Sequence, residues 1–189
     1  YYPAFPYTSY SGMHVEDISA LHAYLLSLPA SEQPNRDHDL AWYLLSRIAA
    51  SAWKWLFFTP GDFEQRPDMN AQWNRGAYIA EVLGHCGECH TPRNLFGAMQ
   101  KQLAYSGNAQ GPEGELVPNI TPHDPTGIGE WDQDELQTFL QFGELPDGEY
   151  TAGSMDPVIE GLGKLTAEDR AALIEYLRAL PPIENRIGD

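Results

Sequence analysis

The sequence predicts an all-α protein, and two observations carry this prediction. No pair of segments alternates apolar and polar residues as paired strands do, whereas several segments space their apolar residues at helical intervals. One helical phrase also occurs twice: residues 15–29 and 167–181 share Glu, Asp, Ala, Leu, Tyr, Leu, Leu and Pro at the same spacing. Each copy is an amphipathic helix that ends at Leu-Pro, because proline disfavours helix in the residue before it.

Two further helices are predicted in the middle of the chain. In residues 34–58 a polar turn leads into a long, Trp-rich apolar helix, and a helix over residues 74–84 leads to the first cysteine. The segments around them are rich in Pro, Gly and Asp, which predicts loops over residues 59–70, 91–129 and 143–157.

Residues 132–142 carry the signals for both ends of a helix. Asp132 suits the N-cap, Glu135 stands at the capping-box position and Gly143 suits the C′ position. Thr166 is the expected cap of the last helix.

The composition is strongly acidic. There are 27 acids and 11 bases among 189 residues, a formal net charge of −16. This charge disfavours binding to nucleic acid and to anionic lipid. Residues 102–163 contain acids but no Lys or Arg. That stretch is either a solvated surface or a face that steers a basic partner, and both interpretations stay open.

One segment, residues 40–58, is apolar enough to be considered as a membrane span. It contains Arg47 and Lys54, and a charge near the bilayer centre costs about 2.5–3.5 kcal/mol on insertion scales. We therefore expect a buried or interfacial helix and no transmembrane span. The chain starts with Tyr-Tyr-Pro and not with Met, so we expect a processed product, a fragment or a partly observed chain.

The motif that carries chemistry is Cys86-Gly-Glu-Cys89-His90. Cys-x-x-Cys-His is the attachment signature of a c-type haem. On one helical turn Cys86 and His90 share a face with Cys89 beside them, so the two thiols can add to the two haem vinyl groups. The imidazole of His90 then lies beneath the iron.

Other interpretations of the motif are weaker. A zinc site lacks a second Cys pair, although His85 could in principle contribute, and a thioredoxin-type redox pair expects a βαβ context that the sequence does not contain. Chance occurrence is the remaining alternative. The motif uses both cysteines of the chain, which favours haem attachment.

A sixth iron ligand must then come from elsewhere, and Met155 is the candidate. It stands in the polar loop Thr-Ala-Gly-Ser-Met-Asp-Pro, where a methionine has little core to fill. His123 is the main rival. Met69 and Met99 lie in polar stretches without such support, and His85 is too close to the motif to reach across the haem.

Several further sequence motifs indicate a known protein family. They are Arg75-Gly-Ala-Tyr, Gly84-His-Cys-Gly-Glu-Cys-His-Thr-Pro-Arg-Asn94, Val117-Pro-Asn-Ile-Thr-Pro122, Gly127-Ile-Gly-Glu-Trp131 and the Leu-Thr-x-Glu-Asp…Tyr-Leu-Arg-x-Leu-Pro ending. The chain resembles class I cytochromes c over nearly its whole length. More narrowly, it is similar to the multihaem cytochrome c subunits of bacterial periplasmic alcohol, aldehyde and sugar-acid dehydrogenases.

The resemblance implies roles for eight residues. Cys86 and Cys89 are the expected thioether anchors of one covalent haem c, with His90 as proximal ligand and Met155 as distal ligand. The remaining four are expected to line or orient the haem site, and they are Pro118, Arg93, Trp131 and Tyr150.

The resemblance gives each of these four a contact. The Pro118 carbonyl accepts a hydrogen bond from the other ring nitrogen of His90. Arg93 meets a haem propionate, although a solvated surface arginine is the alternative. Trp131 and Tyr150 line the pocket, and plain core packing is the alternative for Trp131.

The resemblance also implies a domain organisation. Residues 1–33 correspond to the C-terminal tail of a first cytochrome c domain, 34–73 to a linker with the Trp-rich helix, and 74–189 to the cytochrome c domain that holds the haem. Met13 stands where a first haem would take an axial ligand. The first domain's own Cys-x-x-Cys-His is not in the sequence, so either upstream sequence with a second haem precedes Tyr1 or this copy has lost its haem.

We expect one-electron transfer, because an iron with His and Met ligands has no open position for a substrate. The expected partners are a dehydrogenase donor and a cytochrome or oxidase acceptor, in the periplasm or an equivalent secreted location, with any membrane association made through a partner. Two alternatives remain: a dihaem peroxidase-like enzyme, and a structural or assembly subunit.

Overall fold

The structure is a computed structural model that describes residues 5–34, 36 and 47–188. The chain divides into two compact units, Tyr1–Glu64 and Gln65–Asp189. The division falls inside the segment 34–73 that the sequence assigns to a linker. The described residues contain helices and three isolated β-bridges but no strand, so the all-α prediction is confirmed.

The first unit contains three described helices: α1 (Tyr7–Tyr10), α2 (Val15–Ser27) and α3 (Arg47–Phe57). Helix α2 is the first copy of the repeated phrase, and none of its residues is buried. Helix α3 is part of the predicted Trp-rich helix, whose earlier portion, including Trp42, lies outside the described residues. Among the described helices, none is long and apolar enough to cross a membrane.

The second unit contains the other helices. They are α4 (Ala71–Tyr78), continued by a π-helical turn (Ile79–Leu83), then α5 (Cys86–His90), α6 (Gln133–Phe142), α7 (Asp156–Leu162) and α8 (Ala167–Arg178). Short 3₁₀ turns lie at Lys101–Leu103, Pro112–Gly114 and Gly153–Met155.

Helices α4 and α8 pack against each other and form the centre of this unit. Their facing residues are almost fully enclosed, among them Ala77, Leu173 and Ile174. Gly76 lies at the crossing: a Cβ atom there would stand 1.9 Å from the carbonyl oxygen of Ala172. The two backbones therefore approach more closely than any side chain at position 76 allows.

Helix α4 begins earlier than the sequence predicted. The predicted start was Asn74, but the helix starts at Ala71 because the side chain of Asn70 caps it by accepting from the backbone N–H of Trp73 at 2.7 Å. Asn74 itself is buried, and its side chain exchanges hydrogen bonds with the backbone N–H and C=O of Arg66. The chain ahead of the helix is thereby folded back onto its first turn.

The predicted ends of α6 and α8 are confirmed. Asp132 and Glu135 form a capping box, and α6 ends at Gly143 in the left-handed conformation. The Thr166 side chain caps α8 by accepting from the backbone N–H of Asp169. The loop that contains Met155 begins at Gly143 and runs to the start of α7.

Candidate haem-attachment site

The motif forms its own short helix. The π-helical turn closes with a hydrogen bond from the Gly84 N–H to the Ile79 carbonyl at 2.7 Å, and His85 then takes a left-handed conformation with φ of 40°. This break lets α5 (Cys86–His90) start in a new direction, so the three motif residues lie on one short turn, separate from α4.

Both cysteines are free and partly buried. Burial raises the pKa of the Cys86 thiol to about 11 and also raises the pKa of Cys89, with the Glu88 carboxylate adding to the effect. Both thiols are therefore protonated at neutral pH. Among the described residues, no group of three or more His, Cys, Asp and Glu side chains could hold a metal ion, which leaves the zinc alternative without a ligand set there.

His90 is 7% exposed, and its Nδ1 atom lies 2.8 Å from the carbonyl oxygen of Pro118. A carbonyl can only accept, so Nδ1 carries the proton in this contact. Burial lowers the pKa of the imidazole, so the ring is neutral. With the proton on Nδ1, Nε2 carries the free lone pair of the ring and is the nitrogen that can bind a metal.

The segment that carries Pro118 is tied to the motif helix. The Gly107 N–H donates to the carbonyl of His90 at 2.7 Å, and Asn108 and Val117 exchange two backbone hydrogen bonds of 2.8 and 2.9 Å. Gly107, at one end of this loop, therefore contacts the backbone of His90, and Pro118, at the other end, contacts its ring.

Met155 lies at the end of the 3₁₀ turn Gly153–Met155, directly before α7, and is partly buried. The rival His123 has its Nδ1 atom 2.9 Å from the hydroxyl of Thr126. Met69 and Met99 are also partly buried.

Arg93 has protein partners in this structure. Its guanidinium donates to the Gly97 carbonyl at 2.7 Å, to the Glu88 carbonyl at 3.1 Å and to the Glu88 carboxylate. A contact with a haem propionate would have to replace or share some of these bonds. The propionate role of Arg93 stays a prediction.

Trp131 and Tyr150 occupy different environments. Trp131 is partly buried and packs edge-on against Phe139, with ring centroids 5.3 Å apart. Tyr150 is 62% exposed, and its hydroxyl lies 3.4 Å from a carboxylate oxygen of Glu144. Phe139 thus covers part of the Trp131 side chain, whereas most of Tyr150 is exposed to solvent.

Comparison with known proteins finds relatives that are named as cytochrome c proteins or cytochrome c subunits. A protein of Cereibacter sphaeroides named "Diheme cytochrome c-type" is 39% identical over 185 residues, covering 97% of this chain and 60% of the relative. The cytochrome c subunit of alcohol dehydrogenase (quinone) from Gluconacetobacter polyoxogenes is 33% identical over 196 residues, covering 100% of this chain and 42% of the relative. The gluconate 2-dehydrogenase cytochrome c subunit of Pantoea cypripedii is 32% identical over 188 residues, covering 95% and 42%.

The chain is a cytochrome c homologue. Several of its relatives are cytochrome c subunits of dehydrogenases, which confirms the resemblance deduced from the motifs. The chain spans 60% of the length of the first relative and 42% of the other two. No protein-family model matches the chain.

The residues of this cytochrome c homologue fit a covalent haem c. Two free thiols stand three residues apart, and a neutral, buried imidazole is oriented through Nδ1 with Nε2 available. This donor set matches what thioether attachment and proximal ligation require.

Sequence reasoning missed two groups of residues near the site of this cytochrome c homologue. Glu115 accepts two hydrogen bonds from Ser154 beside Met155, and no local sequence signal marks a contact between residues 39 positions apart. Buried Tyr105 and Tyr176 have their hydroxyl oxygens 3.4 Å apart, and the Tyr176 hydroxyl donates to Glu81 at 2.7 Å. Burial raises the pKa of both tyrosines far above the ordinary value.

Proposed function

We propose that this chain is an electron-transfer cytochrome with one haem c, attached through Cys86 and Cys89 and ligated by His90 and Met155. The observation that carries the proposal is the contact between His90 and Pro118, because it holds a neutral imidazole with Nε2 available. When bound, haem c supplies an iron that takes up and releases one electron at a time.

The protein's own residues set the conditions for that exchange. The cysteine thiols give permanent attachment, and the Pro118 carbonyl keeps the His90 ring from rotating. Met155 supplies a soft thioether, which favours the reduced state relative to harder ligands. With two protein ligands in place no position remains for a substrate, which favours a relay over a haem enzyme.

Three further residues complete the proposed pocket. Arg93 contacts a propionate by sharing or exchanging its bonds with Glu88 and Gly97. Trp131 and Tyr150 line the haem, Trp131 from the packed side and Tyr150 from the exposed side.

The electron donor is a dehydrogenase and the acceptor a cytochrome or oxidase. The names of several relatives support the donor, since these proteins are cytochrome subunits of alcohol, gluconate and fructose dehydrogenases. The acidic segment 102–163 favours a basic partner surface. Covalent haem attachment belongs to the bacterial periplasm or an equivalent compartment, which is the proposed location, and a partner provides any association with a membrane.

The segment 1–33 is proposed to be the tail of another cytochrome c domain. Helix α2 repeats α8, yet three residues that are at most 6% exposed in α8 are 47–61% exposed at the matching positions of α2. The matching pairs are Leu21 and Leu173, Tyr24 and Tyr176, and Leu25 and Leu177. A helix like α4 would cover this face, and buried Met13 would then be an axial ligand of a second haem.

Spectroelectrochemistry of the haem-loaded chain tests the proposed function. We expect one reversible one-electron wave, a Met-to-iron charge-transfer band in the oxidised form and no binding of carbon monoxide at neutral pH. Met155→Leu should abolish that band and admit carbon monoxide, because leucine has no donor atom, whereas Met99→Leu should change neither.

Three outcomes would overturn the proposal. A band that persists in Met155→Leu would move the distal ligand elsewhere. Carbon monoxide binding by the unmodified chain would favour the peroxidase-like alternative. A haem that does not cycle at an electrode would favour the structural alternative.

A further inference from the structure

Glu115 connects the loop that orients His90 to the turn that carries Met155. One oxygen of its carboxylate, Oε2, accepts from the backbone N–H of Ser154 at 3.3 Å and from the hydroxyl of the same serine. Ser154 directly precedes Met155 in the chain. A single side chain from a distant loop therefore binds both the backbone and the side chain next to the proposed distal ligand.

The turn is shaped to receive this carboxylate. Gly153 has φ of +68°, and a Cβ atom at that position would lie 2.6 Å from Glu115 Oε1. The absence of a side chain at Gly153 lets the carboxylate pack against the backbone. The neighbouring contact between Thr151 and Asp156 at 3.4 Å is local to the Met155 loop and does not tie it to another loop.

The backbone on the other side of this contact is also held. The Glu115 N–H donates to the Pro112 carbonyl at 3.0 Å, and the Glu115 carbonyl accepts from the Gly111 N–H at 2.9 Å. Two residues later Val117 is paired with Asn108, and the next residue, Pro118, accepts from His90. Residues 115–118 thus contact the proximal ligand at one end and the Met155 turn at the other.

We propose that Glu115 is a positioning residue that holds Met155 in place as the distal ligand, so that residues 115–118 fix both axial ligands relative to each other. This proposal rests on the proposed function, because it requires Met155 to be a ligand. The turn must move when the methionine sulfur leaves the iron. The hydrogen bonds that Ser154 donates to Glu115 oppose that movement.

Titration of the oxidised, haem-loaded chain with imidazole tests the proposal, because imidazole competes with the distal ligand. In Glu115→Ala we expect about fivefold tighter imidazole binding than in the unmodified chain, the size expected for loss of a charge-assisted hydrogen bond at a partly exposed site. Glu115→Gln keeps an oxygen that can accept from Ser154 and should fall between the two. The reduction potential of Glu115→Ala should fall, since a loosened methionine favours the reduced state less.

Glu184→Ala is the matched control, because it removes the same charge from an exposed residue elsewhere in the second unit. It should bind imidazole like the unmodified chain. If Glu115→Ala binds imidazole within twofold of Glu184→Ala while the unmodified chain shows the Met-dependent band, Glu115 has no positioning role. If the band is absent from the unmodified chain or persists in Met155→Leu, the proposed function itself fails.

Discussion

At the residue scale, the haem ligation proposed for this cytochrome c homologue depends on the protonation state of one imidazole ring. His90 is buried, which lowers the pKa of its imidazole, and the Pro118 carbonyl selects the tautomer with the proton on Nδ1. An exposed histidine would be partly protonated near neutral pH and would have no preferred orientation. One backbone carbonyl at 2.8 Å therefore selects which ring nitrogen remains available to a metal.

A second residue-scale interaction makes stability depend on pH. The Asp169 carboxylate accepts two hydrogen bonds from the Arg75 guanidinium, at 2.7 and 2.8 Å, and this contact lowers the pKa of Asp169. A lowered pKa adds stability above the carboxyl's ordinary pKa, and this stability is lost as pH falls through the lowered value. Arg75 is 44% exposed by side chain, so solvent weakens the pair.

We expect Arg75→Gln to lower the free energy of unfolding by about 0.5–1 kcal/mol at pH 6. The difference from the unmodified chain should shrink as the pH falls from about 4, the ordinary range of an aspartate, through the lowered pKa of Asp169, because the carboxylate that pairs with Arg75 is then protonated. Urea unfolding at a series of pH values measures this. A difference that stays constant down to pH 2 would contradict the assigned role of the pair.

At this scale the candidate site residues could be proposed from the sequence where a motif fixes them. Cys86, Cys89 and His90 follow from their spacing, and the contact between His90 and Pro118 follows from the family phrase around Pro118. The partners of Arg93 were not predictable, because a long side chain chooses among several acceptors that only the folded loop brings near. Glu115 was missed for the same reason.

The crossing of α4 and α8 is the feature that organises the second unit at the scale of elements. Burial of residues such as Leu173 and Ile174 supplies the apolar contact, and Gly76 sets how closely the helices approach. Because α4 runs into the π-helical turn and then into α5, the crossing also fixes where the motif helix begins.

Gly76→Ala should destabilise the protein by at least about 1–3 kcal/mol, the range for overpacking a core, because its methyl group would overlap the Ala172 carbonyl. Denaturant unfolding followed by circular dichroism measures the change. Gly161→Ala is the control: nothing lies within 4 Å of a Cβ atom there, so it should leave stability unchanged or raise it slightly. Equal stability of the two variants would show that the crossing is looser than described.

The sequence predicted elements where end signals are local, and less well elsewhere. The capping box of α6, its end at Gly143 and the Thr166 cap of α8 are all confirmed. The start of α4 was predicted at Asn74, but the helix starts at Ala71 with Asn70 as its cap. The side chain of Asn74 does not cap the helix, since it binds the backbone of the preceding turn. The π-helical turn was not predicted, since such turns are rare and no local residue pattern marks this one.

At the scale of the whole molecule, two compact units and a net charge of −16 define what the protein presents to a partner. The second unit holds every proposed ligand of the haem on Cys86 and Cys89, so that site can be assembled within one unit. The first unit exposes an apolar helix face whose counterpart in α8 is buried. The repeat made this resemblance visible in the sequence, but only the structure showed the difference in exposure.

The central claim is that Cys86 and Cys89 carry one haem c, and the intact mass of the chain under denaturing conditions tests it most directly. Thioether-bound haem survives denaturation, so a chain produced in a host that attaches haem c should show the mass of 189 residues plus one haem. Cys86→Ser/Cys89→Ser should show the polypeptide mass alone. An unmodified chain at the polypeptide mass, with haem released on denaturation or never bound, would contradict the account.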